Sequence, residues 1–361
     1  MKKSDQLSRR SFVKLFGAAS VATAGLALAG CQDNKQADTG KPAADSGEAK
    51  GSDYEPATVR VAFMPNLGSA ASLFSGIEQG YFDEVGITVE TSQFDAGPAE
   101  ISAMQSGDID IAQIGHGAHA LCIEGQAKIF AFDQLSKADS VVANKAKGIT
   151  TAADLKGKTI GVASGTSSEI VLEFVLRDAG LTKDDVTLSE MKVDGMTTAL
   201  IAGQIDAAAT WSPNTVTIQQ QLGDNYVLLG NNADYAGEVA FPSSYICLSD
   251  YAEKNKDILV RFGAALDKAK VWRNDNIDDA AKLLASKLGL PEETLLQATG
   301  EGDWATAVEV IGDTPAVTGY YEAQQKVFLD NGRIPEAVPV ADYLLSDIIT
   351  ESDELYETKL K

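Results

Sequence analysis

Two α/β lobes facing each other across a cleft are predicted by a repeat in the sequence and by its length. Gly107-Asp108-Ile109-Asp110-Ile111-Ala112 returns 96 residues later as Gly203-Gln204-Ile205-Asp206-Ala207-Ala208. Each copy stands where a short helix ends and an apolar run begins. Gly is suited to a left-handed helix cap, and a continuous apolar run to a buried parallel strand. The body from Ala57 onward, about 305 residues, also exceeds what one hydrophobic core comfortably fills.

The elements around each copy follow one order. In the first half a strand over Val59 to Met64 meets the polar break Asn66-Leu67-Gly68-Ser69, then a helix over Ala70 to Gln79. Gly80-Tyr81-Phe82, a strand Ile87 to Phe94 and a helix Pro98 to Ser106 lead to the first copy. In the middle of the chain a strand Thr159 to Ala163 breaks at Ser164-Gly165-Thr166-Ser167-Ser168 before a helix Glu169 to Asp178. A strand Val186 to Val193 and a helix Thr197 to Ala202 lead to the second copy. Two βαβαβ units imply two lobes, and ligands of open α/β sheets bind beyond the carboxyl ends of the strands. Strands Asp139 to Asn144 and Ser243 to Leu248 suggest crossings between the lobes. Beyond them the pattern is helical over Asn255 to Arg273, Ile277 to Leu288, Pro291 to Thr299, Pro315 to Asn331 and Val340 to Ile349. Apolar stripes on these helices read as core.

The N-terminus reads as an export and anchoring signal over residues 1–31. Arg9-Arg10, followed by Phe12 and Lys14, is similar to a twin-arginine signal. The sixteen Ala- and Gly-rich residues Leu15 to Gly30 are too few to span a bilayer. Leu28-Ala29-Gly30-Cys31 resembles a lipobox, which would make Cys31 the lipidated first residue of the mature protein and the membrane a partner through that anchor. Residues 32–56 carry no aliphatic side chain larger than Ala and read as a tether, with a root-mean-square span of roughly 25 to 30 Å. The remaining division is 57–145 for lobe I, 146–246 for lobe II and 247–361 for a mainly helical return to lobe I.

Formal charge is −22, and near −26 once the leader's five Lys/Arg and one Asp are removed. That excludes nucleic acid as a partner and requires an anionic ligand to be held by local donors and dipoles. Apart from Cys31 the cysteines are Cys122 and Cys247, which read as buried free thiols rather than a disulfide. There is no HExxH, CxxC or Walker-type glycine loop, so neither a cofactor nor a metal site is expected. His116, His119 and Cys122 could share a helix face, but three positions so close on one helix splay too far apart to close a metal shell.

The ordered set of motifs resembles the solute-binding proteins of ABC importers, in the sulfonate, taurine, nitrate and thiamine-pyrimidine group. It comprises the leader, Gly80-Tyr81-Phe82 with Gly86-Ile87, Ala96-Gly97-Pro98, the first repeat copy, Asp154-Leu155-Lys156-Gly157-Lys158 and Asp206 to Pro213. The resemblance implies a type II periplasmic binding protein fold, with two mixed sheets flanked by helices, a hinge and a central ligand cleft. It also implies a monomeric, non-enzymatic subunit that presents a small anion or zwitterion to a permease and its ATPase.

Candidate ligand contacts come from the loops after strands. Asn66, Gly68 and Ser69 open the first helix of lobe I, and Thr166, Ser167 and Ser168 occupy the matching place in lobe II; backbone N–H groups there suit an anion. His116 after its strand is a candidate donor, and Trp211 could stack on a ligand's apolar part or brace the hinge. Asp194, with Asp95, Asp133 and Glu169, reads as solvated turn chemistry or, beside an anion site, as suited to the amine of a zwitterion such as an aminosulfonate. No Arg lies in these loops, so nitrate, bicarbonate or a neutral pyrimidine stay open beside an organosulfonate. A two-lobed extracellular enzyme is the alternative from another class, and a receptor domain feeding a sensor a further one.

Overall fold

The repeated Gly-x-Ile-Asp does the same structural work in both halves of the protein. Gly107 and Gly203 have φ of 82° and 69°, the left-handed conformation that ends the preceding helix. The Asp three residues on then turns back to the first strand of its own unit. Asp110 Oδ2 accepts the Arg60 N–H at 2.9 Å, and Asp206 Oδ2 accepts the Thr159 N–H at 2.8 Å. Each Asp backbone N–H also donates to the carbonyl of that same residue, Arg60 or Thr159, at 2.9 Å. The motif thereby ties the start of the third strand of each unit to the first strand and helps set the register between them.

A computed structural model describes residues 53–361, all within the unit Ala49–Lys361. The signal-like segment 1–31, Cys31 and nearly all of the tether 32–56 lie outside the described residues. Eleven strands among the described residues form two mixed sheets. The first contains β1 (Ala57–Phe63), β2 (Ile87–Gln93), β3 (Ile111–Ile114), β4 (Lys128–Ser136), β10 (Pro242–Cys247) and β11 (Gly302–Asp303). Its order is β11-β4-β10-β3-β1-β2, with β1 parallel to β2 and β3 and with β10 antiparallel to β3 and β4. The second contains β5 (Asp139–Asn144), β6 (Thr159–Val162), β7 (Thr187–Glu190), β8 (Ala207–Trp211) and β9 (Tyr226–Asn231), in the order β7-β6-β8-β5-β9. Here too a parallel trio, β7-β6-β8, is followed by an antiparallel strand that arrives from the other sheet. This is the two-lobed α/β architecture that the repeat implied.

Strand pairing shifts both lobe boundaries relative to the sequence reading. β5 belongs to the second sheet although 57–145 was assigned to lobe I, and β10 belongs to the first although 146–246 was assigned to lobe II. Both strands read from sequence as crossings between the lobes, and each proves to belong to the lobe it enters. Most predicted helices form with ends shifted by one to three residues, but two differ in kind. The helix expected from Thr197 begins at Val193, whose side chain is buried as part of its first turn. The helix expected over Val340 to Ile349 is a single 3₁₀ turn, Val340–Asp342, followed by a helix Ser346–Leu355. The backbone between them is used elsewhere, since Ile129 N–H donates to Tyr343 O at 2.7 Å and Leu345 N–H to Ile129 O at 2.8 Å. Cys122 and Cys247 are free and buried, and burial pushes both thiols up.

Beneath the first lobe's share of the cleft lies a buried ion pair. Arg273, on the helix Lys256–Asp275, donates from Nη1 to Asp133 Oδ1 at 2.8 Å and from Nη2 to the Asp133 carbonyl at 3.0 Å. Both side chains have no solvent exposure. Ser72 donates to Asp133 Oδ1 at 2.9 Å and Gln113 Nε2 to Oδ2 at 3.1 Å, so the carboxylate joins β4, β3 and two helices. Asp133→Ala, which leaves Arg273 buried and unpaired, should destabilise the protein by about 3–5 kcal/mol in urea unfolding. Adding Arg273→Met should recover part of that loss.

Candidate functional site

The helices Leu67–Glu78 and Ser167–Asp178 begin on opposite sides of one cavity of about 60 Å³, room for about four to six water-sized groups. Asn66 caps the first helix by accepting the Ser69 N–H at 2.8 Å, and Ser69 Oγ in turn accepts the Met64 N–H at 2.9 Å. The residues read from sequence as a break are therefore that helix's cap and first turn. Across the cavity Thr166 precedes the second helix, its hydroxyl donating to Ala163 O at 2.6 Å. Backbone N–H groups at both helix starts are left for whatever occupies the space, and both macrodipoles favour negative charge there.

Six of the nine sequence candidates line this cavity: Asn66, Gly68, Ser69, Thr166, Ser167 and Trp211. Three do not. Ser168 is fully buried behind it, bonded to Ala209 O at 3.3 Å and the Thr166 hydroxyl at 3.1 Å. Asp194 is exposed on the second lobe's helix Val193–Ile201. His116, expected to face the cleft, is packed with ring-centroid distances of 4.5 Å to Phe241 and 5.0 Å to Phe328. Burial, helped by His119 and Arg333, pushes its imidazole well below the usual range, so it is neutral. His119 shares a 2.9 Å contact between Nδ1 and Gln324 Nε2, and burial pushes it down to about 3.

The acidic residues weighed from sequence split in the same way. Asp133 is paired with Arg273, Asp95 with Lys192 at 2.8 Å, and Glu169 with Arg333 at 2.8 Å. The carboxylate that does line the cavity, Asp139, was missed. It opens β5 opposite Trp211 in the β5–β8 pairing, and burial pushes it up to about 7 against the lowering effect of a Ser136 hydroxyl contact. Gln113, Gln134 and Ser243 complete the lining from the first sheet. Their signal was a polar side chain inside an apolar strand, as in Ile111-Ala112-Gln113-Ile114 and Phe132-Asp133-Gln134-Leu135. No Lys, Arg or His lines the cavity among the described residues.

The lobes touch at the cavity rim. Gly117 N–H donates to Ser167 Oγ at 3.3 Å, and a Cβ on Gly117 would overlap the Thr166 carbonyl carbon. Arg333 of the segment after the helix Thr314–Asp330 reaches Glu169 on the other lobe, and Lys192 reaches Asp95. The arrangement is a receptacle with walls from both lobes.

A profile of the family described as NMT1/THI5 like matches residues 69–277. A protein of Brucella abortus (strain 2308), named for binding with no stated ligand, is 30% identical over 81% of this chain and 91% of its own length. The taurine-binding periplasmic protein of Escherichia coli (strain K12) is 26% identical over 66% of this chain and 76% of its own. Among solved structures, the alkanesulfonate-binding protein SsuA of Xanthomonas axonopodis pv. citri, bound to MOPS, superposes with a TM-score of 0.64 at 22% identity, covering 80% of this chain and 98% of that one. The periplasmic nitrate-binding protein NrtA of Synechocystis PCC 6803 gives a TM-score of 0.70 at 14% identity, covering 85% and 90%.

Gly117→Val should hold the lobes apart. Ligand affinity is then expected to fall about tenfold for each tenfold loss of the closed population, with a larger radius of gyration by small-angle scattering.

Proposed function

The chain belongs to the NMT1/THI5-like family, and on that premise we propose that it is the extracytoplasmic solute-binding subunit of an ABC importer. It captures a small anionic or zwitterionic organosulfonate between its lobes and delivers it to a permease coupled to an ATPase. The observation that carries this reading is the convergence of two helix starts, behind Asn66 and Thr166, on one cavity. Sulfonate oxygens are acceptors carrying negative charge, which backbone donors and dipole ends at helix starts can hold. Trp211, 8% exposed at the end of β8, offers an apolar wall to the carbon chain.

The relatives' names support binding rather than turnover, and the taurine-binding relative supports both the sulfonate class and a place outside the cytoplasm. Lipidation at Cys31 after a twin-arginine signal, with residues 32–56 as tether, would keep this monomer beside its permease. Radiolabelled palmitate incorporation that is lost in Cys31→Ala is the expected result for the anchor.

Thermal unfolding of the purified chain, in buffers free of sulfonates, tests the ligand class against taurine, alkanesulfonates, nitrate, bicarbonate and a hydroxymethylpyrimidine. A ligand present at about 1,000 times its Kd stabilises by about 4 kcal/mol and should raise the midpoint by several degrees. A shift with sulfonates, weakened in Trp211→Ala by about tenfold in Kd, is the expected result. A shift with nitrate or the pyrimidine alone would overturn the sulfonate assignment, and consumption of the ligand by catalytic amounts of protein would replace transport with an enzyme.

A further inference from the structure

The helix Ser167–Asp178 carries negative charge of its own at the end that is to receive an anion. Glu169, in its first turn, accepts the Gly165 N–H at 2.9 Å, and Gly165 lines the ligand cavity. Glu173 follows one turn later, and Lys183 of the same lobe stands 2.6 Å from Glu173 and 3.5 Å from Glu169. Two carboxylates against one ammonium leave this corner of lobe II at a net charge of −1, which opposes an anion at the helix start.

The compensating charge comes from the other lobe. Arg333 follows the helix Thr314–Asp330, which is held to lobe I where Gln324 Nε2 donates to His116 O at 3.2 Å. Arg333 Nη2 donates to Glu169 Oε2 at 2.8 Å, and Nη1 stands 3.7 Å from Glu173 Oε1. Asn331 Nδ2, from the same segment, donates to Glu173 Oε2 at 3.1 Å. The side chains of Arg333 and Glu169 are each 12% exposed, whereas those of the interlobe pair Lys192 and Asp95 are 83% and 47% exposed. An exposed pair contributes little and a largely buried, hydrogen-bonded one more, so the two interlobe contacts are not equivalent. Burial would raise the Glu169 carboxyl, but Arg333, with the Gly165 N–H and Lys183, holds it below its ordinary value.

We infer that Arg333 is an electrostatic latch, tying the lobes together at Glu169 and Glu173 and cancelling the charge that would otherwise oppose an anion at the start of their helix. The inference rests on the uptake reading above and concerns how the same cavity retains its ligand. With the lobes together, two cations meet two carboxylates and the cluster is neutral; with Arg333 withdrawn, lobe II keeps its net −1. Retention and release of an anion are thereby coupled to the position of one side chain. Arg333 does not line the cavity and acts through Glu169, so it is a positioning residue.

Stopped-flow fluorescence of the full chain with taurine, ethanesulfonate and nitrate as probes tests the latch. Arg333→Gln is expected to raise the dissociation rate about tenfold and to leave the association rate within about twofold. Arg333→Met serves the same comparison should Arg333→Gln not fold. In a chain already carrying Glu169→Gln and Glu173→Gln, the Arg333 change should cost less than about twofold, as should Lys192→Gln in the wild type. An unchanged dissociation rate, or a tenfold effect that persists without the two carboxylates, would overturn the latch and leave uptake standing. If no probe binds, the uptake reading falls, and small-angle scattering of the ligand-free chain decides the latch. A larger radius of gyration in Arg333→Gln than in the wild type would then uphold it, and an equal one would overturn it.

Discussion

The charge pair between Asp133 and Arg273 is the contact on which the first lobe is organised. With no solvent on either side chain, the pair draws in its neighbours: Ser72 and Gln113 bond the carboxylate, while the guanidinium, whose Nε has no hydrogen-bond partner, lies 4.7 Å from the centre of the Trp304 ring. Desolvating two charges costs more than an apolar pair of similar volume would, so the return is geometric. One carboxylate fixes the long helix Lys256–Asp275 to β4, the first helix to β4 through Ser72, and the side chain of Gln113 on β3. The cavity is directly above, and Gln113 carries the order of the core into it.

Repetition does for the two lobes what the ion pair does for one. Asp110 and Asp206 each bond the backbone of a strand fifty or so residues earlier, with N–H and carbonyl both engaged. The same local chemistry thereby produces the same parallel trio twice, with the helix that follows each first strand opening at the same height. The meeting of two helix starts at one cavity is a consequence of building one unit twice and facing the copies together.

This explains what was legible in the sequence. The repeat was visible because it is local: a Gly that must be left-handed and an Asp that must reach back are read from six residues. Asn66, Gly68, Ser69, Thr166 and Ser167 were legible for the same reason, since helix starts have their own vocabulary. Pairing between distant strands has none. β5 and β10 read correctly as strands at the crossings between the lobes, but the bounds at 145 and 246 left each with the sheet it comes from rather than the one it joins, and Leu344 leaves its expected helix because the neighbouring backbone bonds Ile129. His116 was misplaced because a histidine after a strand looks the same whether Phe241 and Phe328 cover it or water does. Asp139 was overlooked as one more acidic residue in an acidic chain; only the pairing of the others made it stand apart.

Two segments join the lobes, and they differ in length. Between β4 and β5 there are only Lys137 and Ala138, whereas β9 and β10 are joined through residues 232–241. Were the lobes to turn about these segments, displacement would grow with distance from the axis, so groups at the short crossing would barely move while Gly117 and Ser167 at the rim would move most. A contact made near the axis is equally good in both states and shifts neither, while one made at the rim exists in one state alone. Gln134, Ser136 and Asp139 flank the short crossing and can select a molecule before any motion takes place. Ser167 and its neighbours can only report that one has arrived.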